Sequence, residues 1–296
     1  MEFSFNKQFT DILLSIKSII DVYRSNLVSD HGTSSNVNVH GESSLKLDLI
    51  ANHLIIDALS KFDFIYALAS EEEDDLIIIN DNADYIVCFD PLDGSSLVGT
   101  NQGIGLIFAI YNKNKIFKNK LSDSLEFCFY FHLGQVNSFV AADQNHISGY
   151  SYYGEVVSPI DIKEFSRTSA YFAPGNLKLM NEESNYFDYF NLKIKNNCKL
   201  RYFACLVSDF HFMLCKSQGI FIYLDSKVKN YAKLRLVYEI APLSLMLNHL
   251  NANAINHLGE SILDIVPNSI HQTTSVVMGS KDELDLFTEI VLNKLN

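Results

Sequence analysis

Proline and glycine are scarce in this chain, 5 and 13 among 296 residues. Beside 48% hydrophobic and 20% charged residues, that scarcity excludes collagenous, mucin-like and disordered classes and leaves a globular chain able to bury a large core. Cations are short as well. The 23 Lys and Arg against 35 Asp and Glu give a net charge of −12, and nothing resembles the basic stripe that neutralises a phosphate backbone, so nucleic acid is not an expected partner. The longest apolar stretch, Gly103 to Tyr111, falls well short of the ~18 residues that cross a bilayer. The N-terminus MEFSFNKQFTDILLS has no basic segment leading a hydrophobic one, so the expectation is a soluble cytoplasmic protein with no membrane partner. The cysteines Cys88, Cys128, Cys198, Cys205 and Cys215 are odd in number and include no C-x-x-C pair, against a disulfide framework or zinc ribbon. Each is expected as a reduced, buried small hydrophobe.

The length fits one large domain or two intimately packed ones. Phe9, Ile12, Leu13, Ile16, Ile19, Ile20, Tyr23 and Leu27 recur at helical spacing and predict an amphipathic helix over 8–27. The polar stretch Ser29 to Ser44 reads as a long loop, and a second helix starts near Leu45. Short β-prone runs follow at Ile65–Leu68, Leu76–Ile79, Tyr85–Phe89, Leu106–Tyr111, Phe127–Leu133 and Val136–Ala141, predicting a largely antiparallel sheet with hairpins near Asn112–Lys115 and Gly134. A soft boundary near Ser158 to Arg167 separates residues 1–160 from 161–296. Beyond it, Ser208–Lys216 and Pro242–Leu250 read as helices and Ile220–Leu224 as a strand. Ser280 with Glu283 reads as a capping box opening a terminal helix.

The sharpest chemical feature is Asp90-Pro91-Leu92-Asp93-Gly94-Ser95-Ser96, directly after the run Tyr85 to Phe89. Two carboxylates three residues apart at a strand end, followed by glycine and two hydroxyl residues, gather oxygen ligands and backbone N–H groups around one point. Carboxylates hold a hard cation such as Mg²⁺ at about 2.1 Å, and N–H groups with hydroxyls cradle a phosphate. Asp-Pro-x-Asp-Gly alone is equally a turn. The second acidic run, Glu71-Glu72-Glu73-Asp74-Asp75 after Ser70, favours a shared metal centre, because five adjacent acids repel one another without a cation.

These strings, with Asn36 through Gly41-Glu42 to Lys46-Leu47-Asp48, Arg201-Tyr202, Asp209 with His211, Gly219 to Tyr223, Lys233-Leu234-Arg235-Leu236 with Tyr238-Glu239, and Leu263 to Pro267 with Ile270-His271-Gln272, follow one order across nearly the whole chain. The sequence resembles the class I fructose-1,6-bisphosphatases, of the metal-dependent, lithium-sensitive sugar phosphatase superfamily. The resemblance implies an α/β (α+β) fold of layered α/β/α/β/α architecture. It implies metal and catalytic motifs with a vestigial AMP region in 1–160, and sugar-phosphate binding in 161–296. It implies Glu71, Asp90, Leu92 (through its carbonyl), Asp93 and Glu239 as ligands of two to three Mg²⁺ per subunit, with Mn²⁺ or Zn²⁺ as substitutes. Glu72 and Asp48 would orient and deprotonate the attacking water, and Glu42 would close over the site. Gly94, Ser95 and Ser96 would hold the scissile 1-phosphate, and Arg201, Tyr202, Tyr223 and Lys233 the sugar and 6-phosphate. Arg201 would reach a neighbouring subunit of a homotetramer or dimer. The activity implied is release of the 1-phosphate of fructose 1,6-bisphosphate in gluconeogenesis. His211, His249 and His271 are expected to be structural, since metal-assisted attack on phosphorus needs no histidine.

Departures from the pattern narrow these expectations. Relatives continue after D-P-L-D-G-S-S with Asn-Ile-Asp, whereas this chain has Leu97-Val98-Gly99, and Ala173-Pro174-Gly175-Asn176 stands where relatives carry N-E-G-Y. Asp84 and Asn112 occupy positions where AMP-binding relatives carry cations, which predicts weak or absent AMP inhibition. A sedoheptulose-1,7-bisphosphatase is the alternative that the changed 6-phosphate positions leave, and an inositol-phosphatase-like enzyme, which shares the D-P-x-D-G core, is another. A non-catalytic sugar-phosphate-binding relative is the reading from another class.

Overall fold

Strand β7 (Leu125–Leu133) shows how this sequence builds its layers. Phe127, Phe129 and Phe131 point to one side and Cys128 and Tyr130 to the other, and all five are fully buried. A strand covered on both faces reads as a continuous apolar run rather than an alternation. The computed structural model describes residues 4–29, 33–37, 43–182, 184–225 and 232–294, with side chains described at 4–20 and, within those ranges, from 47 to 293.

In chain order the elements before β7 are α1 (Lys7–Ser29), β1 (Thr33–Val37), β2 (Ser43–Leu45), α2 (Lys46–Leu59), β3 (Ile65–Ser70), β4 (Ile77–Ile78), β5 (Tyr85–Asp93), β6 (Ile104–Asn112) and α3 (Leu121–Ser124). After it come β8 (Asn137–Asp143), β9 (Ile147–Tyr153), β10 (Val156–Pro159), β11 (Tyr171–Pro174), α4 (Ser184–Lys195), β12 (Lys199–Leu200), α5 (Leu206–Lys216), β13 (Ile220–Tyr223), α6 (Ala241–Asn248), β14 (Ala252–Ile255), β15 (Val276–Ser280) and α7 (Lys281–Ile290). An eight-stranded sheet has the order β10-β9-β8-β7-β6-β5-β3-β4, antiparallel except for the parallel β3–β5 pair. A five-stranded sheet has the order β12-β11-β13-β15-β14.

Three apolar clusters define five layers. Phe9, Ile12, Leu13 and Ile16 of α1 and Leu47, Ala51 and Ile55 of α2 pack on the phenylalanine face of the large sheet, where Phe108 and Phe129 stack at 4.6 Å. The other face, through Ile107, Ala109 and Tyr130, meets Phe210 and Met213 of α5 and Leu243 and Met246 of α6, and those helices meet Phe221 and Met278 of the second sheet. Tyr186 and Tyr189 of α4 and Phe287 of α7 cover its far side. The order is α/β/α/β/α, as the resemblance implies. Each of these aromatics stabilises the fold by about 1.5–3 kcal/mol through burial.

Several local expectations are corrected. Residues 33–37 and 43–45 within the polar stretch form a two-stranded antiparallel ladder rather than structureless loop. The β6–β7 connection carries helix α3 instead of a tight hairpin. Ser280 does cap α7, but without a side-chain bond. Glu283 reaches away from the helix start, accepts the Ser169 N–H at 3.0 Å and pairs with the buried ammonium of Lys193 on α4. All five cysteines are free thiols, but Cys215 is exposed and Cys198 partly so. No described helix is long and apolar enough to cross a membrane.

Candidate active site

β3 and β5 run parallel and end side by side, so the acids that follow each strand arrive at one place. The Glu71 N–H donates to the Phe89 carbonyl at 3.1 Å, which fixes the start of the acidic loop beside Asp90. Between β13 and α6 the chain makes a π turn at Leu236–Ile240, and this irregular turn carries Glu239 inward. Asp90, Asp93 and Glu239 are buried, and each brings a carboxylate oxygen within 4.8 Å of the other two.

Burial raises the pKa of Glu71, Asp90, Asp93 and Glu239 above the ordinary carboxyl range, and mutual repulsion reinforces it at Asp90 and Glu239. Arg235 opposes the shift at Glu71, its Nε lying 3.2 Å from Oε1, while its backbone N–H donates to Glu239. Asp93 is held by the first turn of α5. The Leu206 N–H donates to Oδ1 at 3.1 Å, the Val207 N–H to Oδ2, and the Cys205 thiol to Oδ2 at 3.1 Å. Lys233 lowers the Asp93 pKa from the exposed side. Three buried hard-oxygen donors with so little positive charge among them are a donor set that fits a divalent cation such as Mg²⁺.

Gly94 turns the chain at φ +83°, and a Cβ there would sit 2.8 Å from the Cys205 Cβ, so the position admits only glycine. The following 3₁₀ turn, Ser95–Leu97, uses the N–H groups of Leu97 and Val98 and leaves those of Gly94, Ser95 and Ser96 outside its own bonds. Leu92 is buried, and its N–H donates to Asp90 Oδ1 at 2.9 Å. Asp48 is buried on α2, and the Glu72 N–H bonds to the Ser70 hydroxyl at 3.2 Å. Tyr202 stands near Tyr223, Asp209 and Asp93, and burial pushes its pKa up to about 12. Arg201 is exposed, with Nη1 bonded to the Leu200 carbonyl and its guanidinium 6.0 Å from the Tyr171 ring; no described carboxylate of the centre holds it. Glu42 lies outside the described residues. Leu97 and Gly99 line a separate cavity.

Three further residues shape the site: Arg235, Asn52 and Cys205. Arg235 was visible inside K-L-R-L, but nothing in the string marks it as a partner of Glu71. Asn52, fully buried one turn after Asp48, donates to Glu73 Oε1 at 2.7 Å and ties α2 to the acidic loop. Cys205 is the N-cap of α5, a position where serine or aspartate is ordinary.

Because the four carboxyl groups titrate above their unfolded range of about 4, the folded chain without a cation holds protons that the unfolded chain has released. Their contribution to stability is complete below that range and is lost progressively as pH rises from it through the raised folded values. Divalent cations are therefore expected to bind more tightly as pH rises above the ordinary carboxyl range, with proton release, and to raise the melting temperature more at the higher pH. Calorimetry in buffers of different ionisation enthalpy checks this, and an affinity independent of pH would contradict it.

Buried carboxylates beside a glycine turn whose N–H groups lie outside the turn's own bonds, in an α/β/α/β/α fold, are the site of a metal-dependent phosphatase. The family descriptions "Fructose-1-6-bisphosphatase, N-terminal domain" and "Fructose-1-6-bisphosphatase, C-terminal domain" match residues 2–143 and 165–292. The chain belongs to the fructose-1,6-bisphosphatase family. It is 34% identical to a class 1 fructose-1,6-bisphosphatase of Pseudoalteromonas translucida, over 90% of this chain and 89% of that one. It is 30% identical to one of Campylobacter jejuni, over 90% and 94%. The holo Leishmania major fructose-1,6-bisphosphatase structure superposes with a TM-score of 0.86 at 25% identity, covering 96% of this chain and 94% of that one. A Toxoplasma gondii structure provisionally described as a sedoheptulose-1,7 bisphosphatase shares the fold, with a TM-score of 0.89 at 22% identity and coverage of 99% and 96%.

Proposed function

We propose that the chain is a cytoplasmic sugar bisphosphatase that removes the 1-phosphate of fructose 1,6-bisphosphate, with two to three Mg²⁺ per subunit. The observation that carries this reading is the buried Asp90–Asp93–Glu239 cluster beside the Gly94 turn, in a chain of this family. Asp90, Asp93 and Glu239, with Glu71 and the Leu92 carbonyl, hold the cations. When bound, the cations neutralise phosphoryl charge and act as Lewis acids. Glu72 and Asp48 orient the attacking water and take its proton, on elements tied together through Asn52 and Glu73. The N–H groups of Gly94 and Ser95 and the Ser96 hydroxyl receive the 1-phosphate. Tyr202, Tyr223 and Lys233 bind the sugar and the distal phosphate, and Glu42 closes over them. The exposed Arg201 serves the site of a neighbouring subunit in a homotetramer or dimer.

Phosphate release from fructose 1,6-bisphosphate tests this, run beside sedoheptulose 1,7-bisphosphate, fructose 6-phosphate and inositol 1-phosphate, with and without AMP. The expected result is Mg²⁺-dependent release that is fastest from fructose 1,6-bisphosphate and insensitive to AMP. A faster rate on the seven-carbon bisphosphate would move the substrate, release from monophosphates alone would remove the distal phosphate site, and no release at all would leave the binding-only reading. Lys233→Ala is expected to raise KM by roughly tenfold with kcat little changed, because a charge-assisted phosphate contact is made in both ground and transition states. A fall in kcat at constant KM would refute the role given to Lys233.

A further inference from the structure

A second set of metal-ligating side chains lies outside the carboxylate centre. His211 and Cys215 occupy positions i and i+4 of α5 and therefore share one helical face. His211 Nε2 lies 3.6 Å from Cys215 Sγ, a spacing at which both atoms can reach one tetrahedral ion at ordinary Zn–N and Zn–S lengths of about 2.1 and 2.3 Å. The other ring nitrogen, Nδ1, lies 2.9 Å from the Tyr130 hydroxyl. That oxygen can accept the Nδ1 proton, the tautomer that leaves the Nε2 lone pair facing sulfur. A metal-bound histidine ordinarily has its second nitrogen engaged in this way. His132 stacks on the same ring at 4.7 Å and holds it in plane, its own Nε2 engaged with the Ser208 hydroxyl at 3.2 Å.

Both residues line a cavity of about 900 Å³ that also includes Gln135 and Asn101, so an ion has access and room for further ligands. Burial and the neighbouring His132 push the His211 pKa down to about 3, which keeps the imidazole neutral and able to ligate at physiological pH. Although the Cys215 side chain reaches the surface, partial desolvation among its neighbours raises the thiol pKa, so the ion must displace its proton.

We infer that His211 and Cys215 form a chelate for a thiophilic divalent ion of the Zn²⁺ class, distinct from the hard-cation centre at the other end of the same helix. Binding forms one N–metal and one S–metal bond, breaks the S–H bond and releases the proton to solvent, with no change of oxidation state. Nitrogen and sulfur donors select borderline and soft ions, whereas carboxylates suit Mg²⁺. Cys215 lies nine residues beyond Leu206, roughly 13 Å along the helix, so the two centres do not share a ligand.

Co²⁺ serves as the probe, because a thiolate–Co²⁺ bond gives a near-ultraviolet charge-transfer band that oxygen ligands do not. The full-length wild type is expected to show a saturable band that Zn²⁺ abolishes and excess Mg²⁺ leaves intact. Cys205→Ser, which removes the thiol beside Asp93, should keep the band. Cys215→Ser should lose it, and His211→Gln should weaken Co²⁺ binding at this band at least tenfold. Circular dichroism establishes that each variant is folded. Absence of the band in wild type, its survival in Cys215→Ser, its loss in Cys205→Ser, or an unchanged titration in folded His211→Gln would each overturn the assignment.

Discussion

Asp90→Asn is expected to reduce turnover at least about a thousandfold while making the metal-free protein as stable as, or more stable than, wild type. The two effects have one cause. Asp90 is buried against Glu71, Asp93 and Glu239, so its charge is tolerable only when a cation is shared among them. The amide keeps an Oδ1 to accept the Leu92 N–H and nearly the same volume, but it removes a carboxylate ligand and the repulsion together. A loss of about 4 kcal/mol of transition-state charge stabilisation corresponds to that thousandfold. Steady-state rates and thermal denaturation in chelator give the two readouts, and a variant that is active, or less stable without metal, would refute the account. Asp93→Ala is a poorer probe, since it strands the buried N–H groups of Leu206 and Val207 at about 1–3 kcal/mol each.

The second large effect is expected far from the chemistry. Lys193 and Glu283 are an almost fully buried ion pair between α4 and α7, and Glu283 also accepts the Ser169 N–H and the Tyr189 hydroxyl. Lys193→Ala leaves that carboxylate buried without its cation and should cost about 3–5 kcal/mol. The double variant Lys193→Met with Glu283→Gln keeps an acceptor for Ser169 and buries no charge, so most of the loss should be recovered. Urea denaturation measures both. Equal losses in the single and double variants would mean that packing, not the stranded charge, sets the cost.

The strands of the large sheet were legible because Ile86 to Phe89, Leu106 to Tyr111 and Phe127 to Phe131 are buried on both faces and run without a polar interruption. β9 and β10 were not, since Ile147–Tyr153 mixes serine, glycine and tyrosine at the edge of the sheet, where burial imposes no pattern. β12 has only two residues, too few for any period. Ser280 and Glu283 have the spacing of a capping box, but tertiary packing recruits Glu283 as the counter-ion of Lys193, a partner 90 residues away. At the site, Asp90 and Asp93 followed from a strand end followed by glycine. Glu239 came only through the resemblance, because a π turn has no sequence signature and its carboxylate lies 146 positions from Asp93 (239 − 93). Arg235, Asn52 and Cys205 act by contacts that exist only once distant segments meet.

The middle layer has a consequence for synthesis on the ribosome. The inner face of the large sheet, with Ile107, Ala109 and Tyr130, is complete by Pro159, yet the helices that cover it start at Leu206 and Ala241. While those segments are still being made, the nascent chain presents a bare apolar surface of the kind that invites aggregation. Glu239 arrives in the same stretch as α6. On the proposed ligand assignment the cation centre is therefore completed only as the exposed face is sealed, so an unfinished chain lacks the Asp90–Asp93–Glu239 cluster.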